Sequence, residues 1–124
     1  MNLDEQILKA SVLIVDDKPA NVALLEAILK SEGYTNIQSV TDSRLVKELH
    51  EKWQFDIILL DIRMPHMSGF EVMEQLQKSN QDDYLPVLVL TAQSDAEIKI
   101  QALQSGARDF VTKPFERIEV THRI

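Results

Sequence analysis

The chain has 124 residues, of which 44% are hydrophobic and 27% charged, and it has no cysteine. This length suits one domain with one core, and the missing cysteine excludes disulfides and cysteine-bound metals. A formal net charge of -7 without a Lys/Arg cluster argues against direct nucleic-acid binding. The start of the chain does not have the pattern of a secretion signal, and no apolar run has membrane-spanning length. We therefore expect a cytoplasmic protein without a membrane segment.

Short apolar runs alternate along the chain with segments of helical pattern. The predicted strands are residues 11–15, 37–40, 57–60, 87–90 and 109–112. The predicted helices are residues 19–32, 43–53, 68–79 and 95–105, and a fifth that begins after Pro114. Gly33 and Gly106 are placed to end two of these helices, and Ser68 with Glu71 has the spacing of a capping box. Five strands, each followed by a helix, predict a doubly wound α/β fold.

Acidic residues follow two of the predicted strands. Asp16 and Asp17 end the first apolar run, and Asp61 ends the third. Runs that are apolar at every position are typical of parallel strands covered on both faces, and such sheets bind ligands at the carboxyl ends of their strands. Three carboxylates at this edge require a divalent cation or a lysine close by. The pattern predicts a magnesium site that handles phosphate.

Two more polar residues are expected at the same edge, because Thr91 follows the fourth strand and Lys113 the fifth. A hydroxyl and a cation around one carboxylate would hold a phosphoryl group and neutralise its charge. Each residue alone has a simpler interpretation. Asp17 would be a helix cap, Thr91 a hydroxyl at a strand end and Lys113 a solvated charge. The set taken together favours the phosphate site.

At these positions the chain resembles the receiver domain of two-component response regulators, from about residue 12 to residue 115. The matching stretches, in order, are residues 13–17, 56–65, 68–69, 86–92, 106–110 and 113–115. The resemblance implies a flavodoxin-like fold, with a five-stranded parallel sheet of order 2-1-3-4-5 and five helices. It also implies a switch that a histidine kinase or a histidine phosphotransfer protein phosphorylates.

The resemblance also implies a role for individual residues. Asp61 would be the phosphoacceptor, and Mg²⁺, or Mn²⁺ as an alternative, would be bound by Asp17, Asp61 and the backbone carbonyl of Arg63, with Asp16 acting through water. The phosphoryl oxygens would be held by Thr91 and Lys113, and Phe110 would be the aromatic switch residue. Arg63 and Gln93 would tune the phosphoaspartate lifetime, and the peptide bond before Pro114 would be cis.

Three other functions are weighed against this one. An aspartyl-phosphate phosphatase typically carries a second Asp two places after the nucleophile, where this chain has Arg63. A nucleotide or flavin binder needs a phosphate loop rich in Gly or hydroxyls after the first strand, which this chain lacks. A phosphorylation-independent binding module of the same fold would be indicated by loss of Asp61, Thr91 or Lys113. All three are present.

The ends of the chain and the fourth helix give further expectations. Residues 1–10 are predicted to be an N-terminal extension and residues 11–124 the receiver domain. The last helix is predicted to be truncated, because its apolar pattern still continues at Ile124. We therefore expect an output domain beyond this chain. The alternative is a stand-alone receiver with an unusually short last helix.

The fourth helix is weakly amphipathic, which indicates either a contact face or an edge helix. A homodimer could form through the fourth helix, fifth strand and fifth helix. The histidines are expected at the surface, and Trp53 and Phe55 at a packed corner.

Overall fold

The structure is a computed structural model that describes residues 8–79, 86–92 and 96–113. In this part of the chain, strands alternate with helices in the order β1 (Val12–Val15), α1 (Pro19–Ser31), β2 (Ile37–Val40), α2 (Val46–Trp53), β3 (Ile57–Asp61), α3 (Gly69–Ser79), β4 (Val87–Ala92), α4 (Ala96–Gln104) and β5 (Asp109–Lys113). A 3-10 turn, Ser43–Leu45, precedes α2. None of the helices described is both long and apolar enough to cross a membrane. The predicted fifth helix falls outside the described residues.

The five strands form one parallel sheet of order β2-β1-β3-β4-β5, which confirms the predicted topology. Val15 pairs with Val40 on one side and with Leu60 on the other. The chain moves outward from β1 to β2 and then returns to place β3 on the other side of β1. This reversal leaves a crevice at the carboxyl ends of β1 and β3, the usual binding position in open α/β sheets.

The sheet separates two hydrophobic layers. Leu13 and Val15 point into the first layer, which contains side chains from α2 and α3, together with Ala102 of α4. Val12 and Ile14 point into the second layer, against α1. All four of these strand residues are fully buried, which explains why the run is apolar at every position instead of alternating with polar residues. Burial of a side chain of this size contributes roughly 1.5–3 kcal/mol.

Glycines end two of the helices, as predicted. Gly33 has φ +102° and Gly106 has φ +99°, values that residues with a Cβ rarely adopt. After α1, the amide of Gly33 donates to Lys30 O at 3.1 Å and the amide of Tyr34 donates to Leu29 O at 3.1 Å. This pair of bonds satisfies carbonyls that the last helical turn leaves open.

Several predicted boundaries differ from the structure by one or two residues. β4 runs to Ala92, so Thr91 lies inside the strand and not after it, and β5 runs to Lys113. The cause is the pairing of β4 with β5, which continues to Ala92 opposite Lys113. β3 likewise includes Asp61. The predicted helix 43–53 begins as the 3-10 turn, where Asp42 accepts a hydrogen bond from the amide of Arg44.

Candidate functional site

Three carboxylates meet at the carboxyl edge of the sheet. Asp16 and Asp17 follow β1, and Asp61 is the last residue of the neighbouring strand β3. One carboxylate oxygen from each lies within 4.8 Å of the others. Asp16 is 0% exposed and Asp61 3% exposed, so their charges are largely removed from water. A hard cation with oxygen ligands would relieve the repulsion among them.

Asp16 also holds the start of α1. One of its carboxylate oxygens accepts from the amide of Lys18 at 3.0 Å, and the other accepts from the Asn21 side chain at 3.1 Å. The N-cap of α1 is Lys18, whose side chain makes no capping hydrogen bond, so Asp17 is not the cap. Sequence reasoning missed Asn21, because an amide in the first turn of a helix is an ordinary surface residue unless its partner is known.

The site contains two buried polar atoms that have no hydrogen-bond partner among the described residues. They are Oδ1 of Asp17 and Oγ1 of Thr91. Thr91 is 4% exposed and lies on β4, one residue beyond the partner of Asp61 in the β3–β4 pairing. Leaving a buried polar atom unsatisfied costs roughly 1–3 kcal/mol, so each such atom calls for an explanation. A ligand held between the strands would supply both partners.

The loop after β3 returns tightly to the end of the strand. The amide of Gly69 donates to Ile62 O at 2.9 Å. A Cβ at Gly69 would lie 2.6 Å from Asp61 O, so only glycine allows this close approach. Helix α3 then begins with the predicted capping box, in which Ser68 Oγ accepts from the amide of Glu71 at 3.3 Å and Glu71 Oε1 accepts from the amide of Ser68 at 3.4 Å. Arg63, whose carbonyl is a predicted ligand, lies in this loop with its side chain exposed.

The remaining candidates lie on or beyond β5. Phe110 is half-buried against the first layer, and Lys99 Nζ lies 5.2 Å from the centroid of its ring. Lys113 ends β5 at the same edge of the sheet as Thr91. In the β4–β5 pairing, Thr91 lies opposite Thr112, and Lys113 is the next residue of β5. The Lys113 side chain, Gln93 and Pro114 lie outside what the structure describes, so their predicted roles remain predictions.

The molecule is a doubly wound α/β domain with a carboxylate cluster at the switch point of its sheet. The chain belongs to the response regulator receiver domain family, whose model matches residues 12–124. It is 38% identical to the response regulator PleD of Caulobacter vibrioides, over 94% of this chain and 26% of the relative. It is 37% identical to the DNA-binding regulator RpaA of Synechocystis, over 91% of this chain and 46% of the relative.

Solved structures agree with this assignment. Chemotaxis protein CheY4 of Vibrio cholerae matches with a TM-score of 0.82 and 30% identity, over 92% of this chain and 94% of that one. The receiver domain of sensor histidine kinase PA1611 of Pseudomonas aeruginosa, which has a magnesium ion coordinated in its active site cleft, matches with a TM-score of 0.81 and 30% identity, over 92% and 93% of the two chains. The chain therefore covers nearly all of these two solved chains, but only 26% of PleD and 46% of RpaA.

Proposed function

We propose that Asp61 accepts a phosphoryl group from a phosphohistidine of a histidine kinase or phosphotransfer protein, and that the modified domain acts as a switch. The observation that carries the proposal is a pair of unpartnered buried atoms on either side of Asp61: Oδ1 of Asp17, just after β1, and Oγ1 of Thr91, within β4. A structural salt-bridge network or helix cap would have satisfied these atoms. A phosphoryl group and its metal ion need such groups.

The carboxylate cluster fits Mg²⁺. Asp17, Asp61 and the carbonyl of Arg63 would bind the ion directly. Asp16 would act through water, because both of its carboxylate oxygens already accept hydrogen bonds, one from the Lys18 amide and one from the Asn21 side chain. When bound, the ion offsets the carboxylate charge and stabilises the charge that develops on the phosphoryl oxygens. An all-oxygen ligand set also suits Mn²⁺, which we propose as an alternative metal.

The chemistry of this chain's own residues is a phosphoryl transfer. A carboxylate oxygen of Asp61 attacks phosphorus, the phosphorus–nitrogen bond of the donor breaks, and the donor imidazole leaves with the bonding electrons. The Thr91 hydroxyl then donates to a phosphoryl oxygen and the Lys113 ammonium pairs with another. Phe110 moves into the space that Thr91 leaves, which biases the face formed by α4 and β5 toward its active arrangement.

We propose a switch and not a turnover enzyme. Aspartyl-phosphate phosphatases need a general acid near the acceptor, and the position two places beyond Asp61 is Arg63. Hydrolysis of the phosphoaspartate is therefore expected to be slow. Arg63, with Gln93 at the matching position beyond Thr91, would shield the phosphoryl group from water. The test is the dephosphorylation rate of Arg63→Ala and Gln93→Ala, and unchanged rates in both would remove the shielding role.

We also propose the wider setting of the domain. Residues 1–10 would be an N-terminal extension and residues 11–124 the receiver domain, which would act on an output domain in a full-length regulator. The small share of PleD and RpaA that the chain covers supports this arrangement. The domain would be cytoplasmic, would contact no nucleic acid itself, and would form a homodimer through α4, β5 and the last helix.

Intact mass spectrometry tests the phosphoacceptor. With Mg²⁺ and acetyl phosphate, the wild-type chain should gain one phosphoryl group, and Asp61→Asn should gain none. EDTA should prevent labelling, because the cluster then keeps its full negative charge. Asp56→Asn is the matched control: it makes the same chemical change at an exposed Asp before β3, at the opposite end of the strand, and should label like the wild type. Labelling that survives in Asp61→Asn would overturn the proposal.

A further inference from the structure

The loop between Asp61 and α3, residues 62–68, is held in a strained shape, and we call it the acceptor loop. Its base is closed by the hydrogen bond from the Gly69 amide to Ile62 O. At its tip, the amide of Met67 donates to Pro65 O at 2.7 Å, and His66 between them has φ +68°. This is a γ-turn with positive φ, a rare and strained conformation for a residue with a side chain. Something outside the turn must keep it in place.

Ser43 supplies such a contact from a distant part of the chain. Its hydroxyl donates to Met67 O at 2.7 Å, across 24 residues of sequence, and its side chain is only 2% exposed. The position of Ser43 is itself fixed, because the residues on either side of it, Asp42 and Arg44, bind each other. Asp42 accepts from the Arg44 amide at 3.0 Å, and the two side chains form an ion pair at 2.9 Å. The same contacts with Arg44 lower the pKa of the Asp42 carboxyl to about 2, so this carboxyl is ionised at neutral pH and the ion pair is kept.

We infer that Ser43 is a positioning residue for phosphoryl transfer: through the Met67 carbonyl it holds the acceptor loop, and so places the Arg63 backbone beside Asp61. The inference rests on the proposed function of Asp61. The loop is short: its base at Gly69, its tip at His66 and the carbonyl of Met67 that Ser43 binds all lie within eight residues of Asp61. Loss of the outer contact would let the strained turn at His66 relax, and Arg63 lies between that turn and the phosphoacceptor.

A merely structural role for the hydroxyl would have a different signature. Ser31 offers the comparison, since its hydroxyl also donates to a backbone carbonyl, Ile28 O, at 2.7 Å. That bond lies in the last turn of α1, at the end of the helix away from the carboxylates. Ser31→Ala and Ser43→Ala therefore remove the same kind of hydrogen bond, one remote from the site and one in contact with the acceptor loop.

The experiment compares these two variants with the wild type under conditions in which all three are folded. In Ser43→Ala, we expect hydrogen exchange of the Met67 and Gly69 amides to accelerate roughly tenfold, the factor that corresponds to about 1.4 kcal/mol. The Kd for Mg²⁺ should rise and labelling by acetyl phosphate should slow, each several-fold. Ser31→Ala should match the wild type in all three measurements.

The outcomes separate this inference from the function on which it rests. Calorimetric Mg²⁺ affinity and amide exchange do not require phosphorylation. A wild-type chain that fails to label would refute the role of Asp61. A wild type that labels, beside a Ser43→Ala variant with unchanged exchange, Mg²⁺ affinity and labelling rate, would overturn the role of Ser43 alone.

Discussion

The close approach of Gly69 to the phosphoacceptor strand makes Gly69→Ala a sharp perturbation. The new Cβ would lie 2.6 Å from Asp61 O and 2.8 Å from Ile62 Cα, whereas carbon atoms in ordinary contact are about 3.5–4.0 Å apart. Both of these neighbours are backbone atoms, so a side-chain rotation cannot relieve the overlap. Either α3 or the end of β3 must move by on the order of 1 Å.

The magnitude follows from this geometry. Overpacking costs about 1–3 kcal/mol, and contact with backbone places Gly69→Ala at the upper end of that range. The better helix propensity of alanine returns at most about 1 kcal/mol at this first helical position. A net loss of about 2 kcal/mol lowers the melting temperature of a domain of this size by roughly 8 °C. Displacement of Asp61 by about 1 Å should also slow labelling by one to two orders of magnitude.

The assay combines thermal unfolding with acetyl phosphate labelling at a temperature where the variants are folded. Leu29→Ala is the control, since Leu29 is fully buried in the second layer near the end of α1 and its truncation costs about 2–5 kcal/mol. It should melt early and still label at the wild-type rate. A Gly69→Ala variant that melts within about 2 °C of the wild type, or that labels as fast, would contradict the reasoning.

Two further predictions concern residues remote from the site. His50 Nδ1 accepts from the Phe55 amide at 3.1 Å, which requires an unprotonated nitrogen, and burial lowers the pKa of His50 below its usual 6.5 despite the opposing effect of Glu51. The unfolded state therefore takes up the proton first, so the free energy of unfolding should be constant above about pH 6.5 and fall below it. Urea unfolding of His50→Gln should lack this fall. A fall of the same size in the variant would disprove the role of His50. Asp56→Ala removes the acceptor for the Ser11 amide at 2.8 Å and for the Ser11 hydroxyl at 3.1 Å. The urea midpoint should therefore drop by the equivalent of about 1 kcal/mol, while labelling stays unchanged. An unaltered midpoint would show that this exposed contact contributes nothing to stability.

The strands and the carboxylate cluster could be predicted because each depends on a local pattern. Fully apolar runs such as Val12–Val15 fit only a strand covered on both faces, and parallel pairing then brings the residues that follow each run to one edge. The capping box at Ser68 is equally local. In α4, Ala102 is buried while Ile100 is 57% exposed, and the choice between a contact face and an edge helix stays a prediction.

Other features depend on contacts between distant segments, which a local pattern does not contain. Ser43 and Asn21 are ordinary polar residues until the fold places Met67 and Asp16 beside them. His50, expected at the surface, is half-buried because its ring stacks on Phe55. Trp53 was expected to pack in the corner with Phe55, but it is 52% exposed and only Phe55 is buried. Hydrophobicity alone could not distinguish these two neighbouring aromatic residues.

The division of the core into two layers has a consequence for how the chain tolerates change. Leu13 and Ile14 are neighbours in sequence, yet they pack with different sets of side chains on opposite faces of the sheet. Residues that share no packing partners have nearly independent effects on stability. Variation accepted in one layer therefore places little constraint on the other. An insertion of one residue in β1 is the exception, because it would exchange the two sets of side chains at once. Such a domain can diversify by substitution in each half of its core separately, while the lengths of its strands stay fixed.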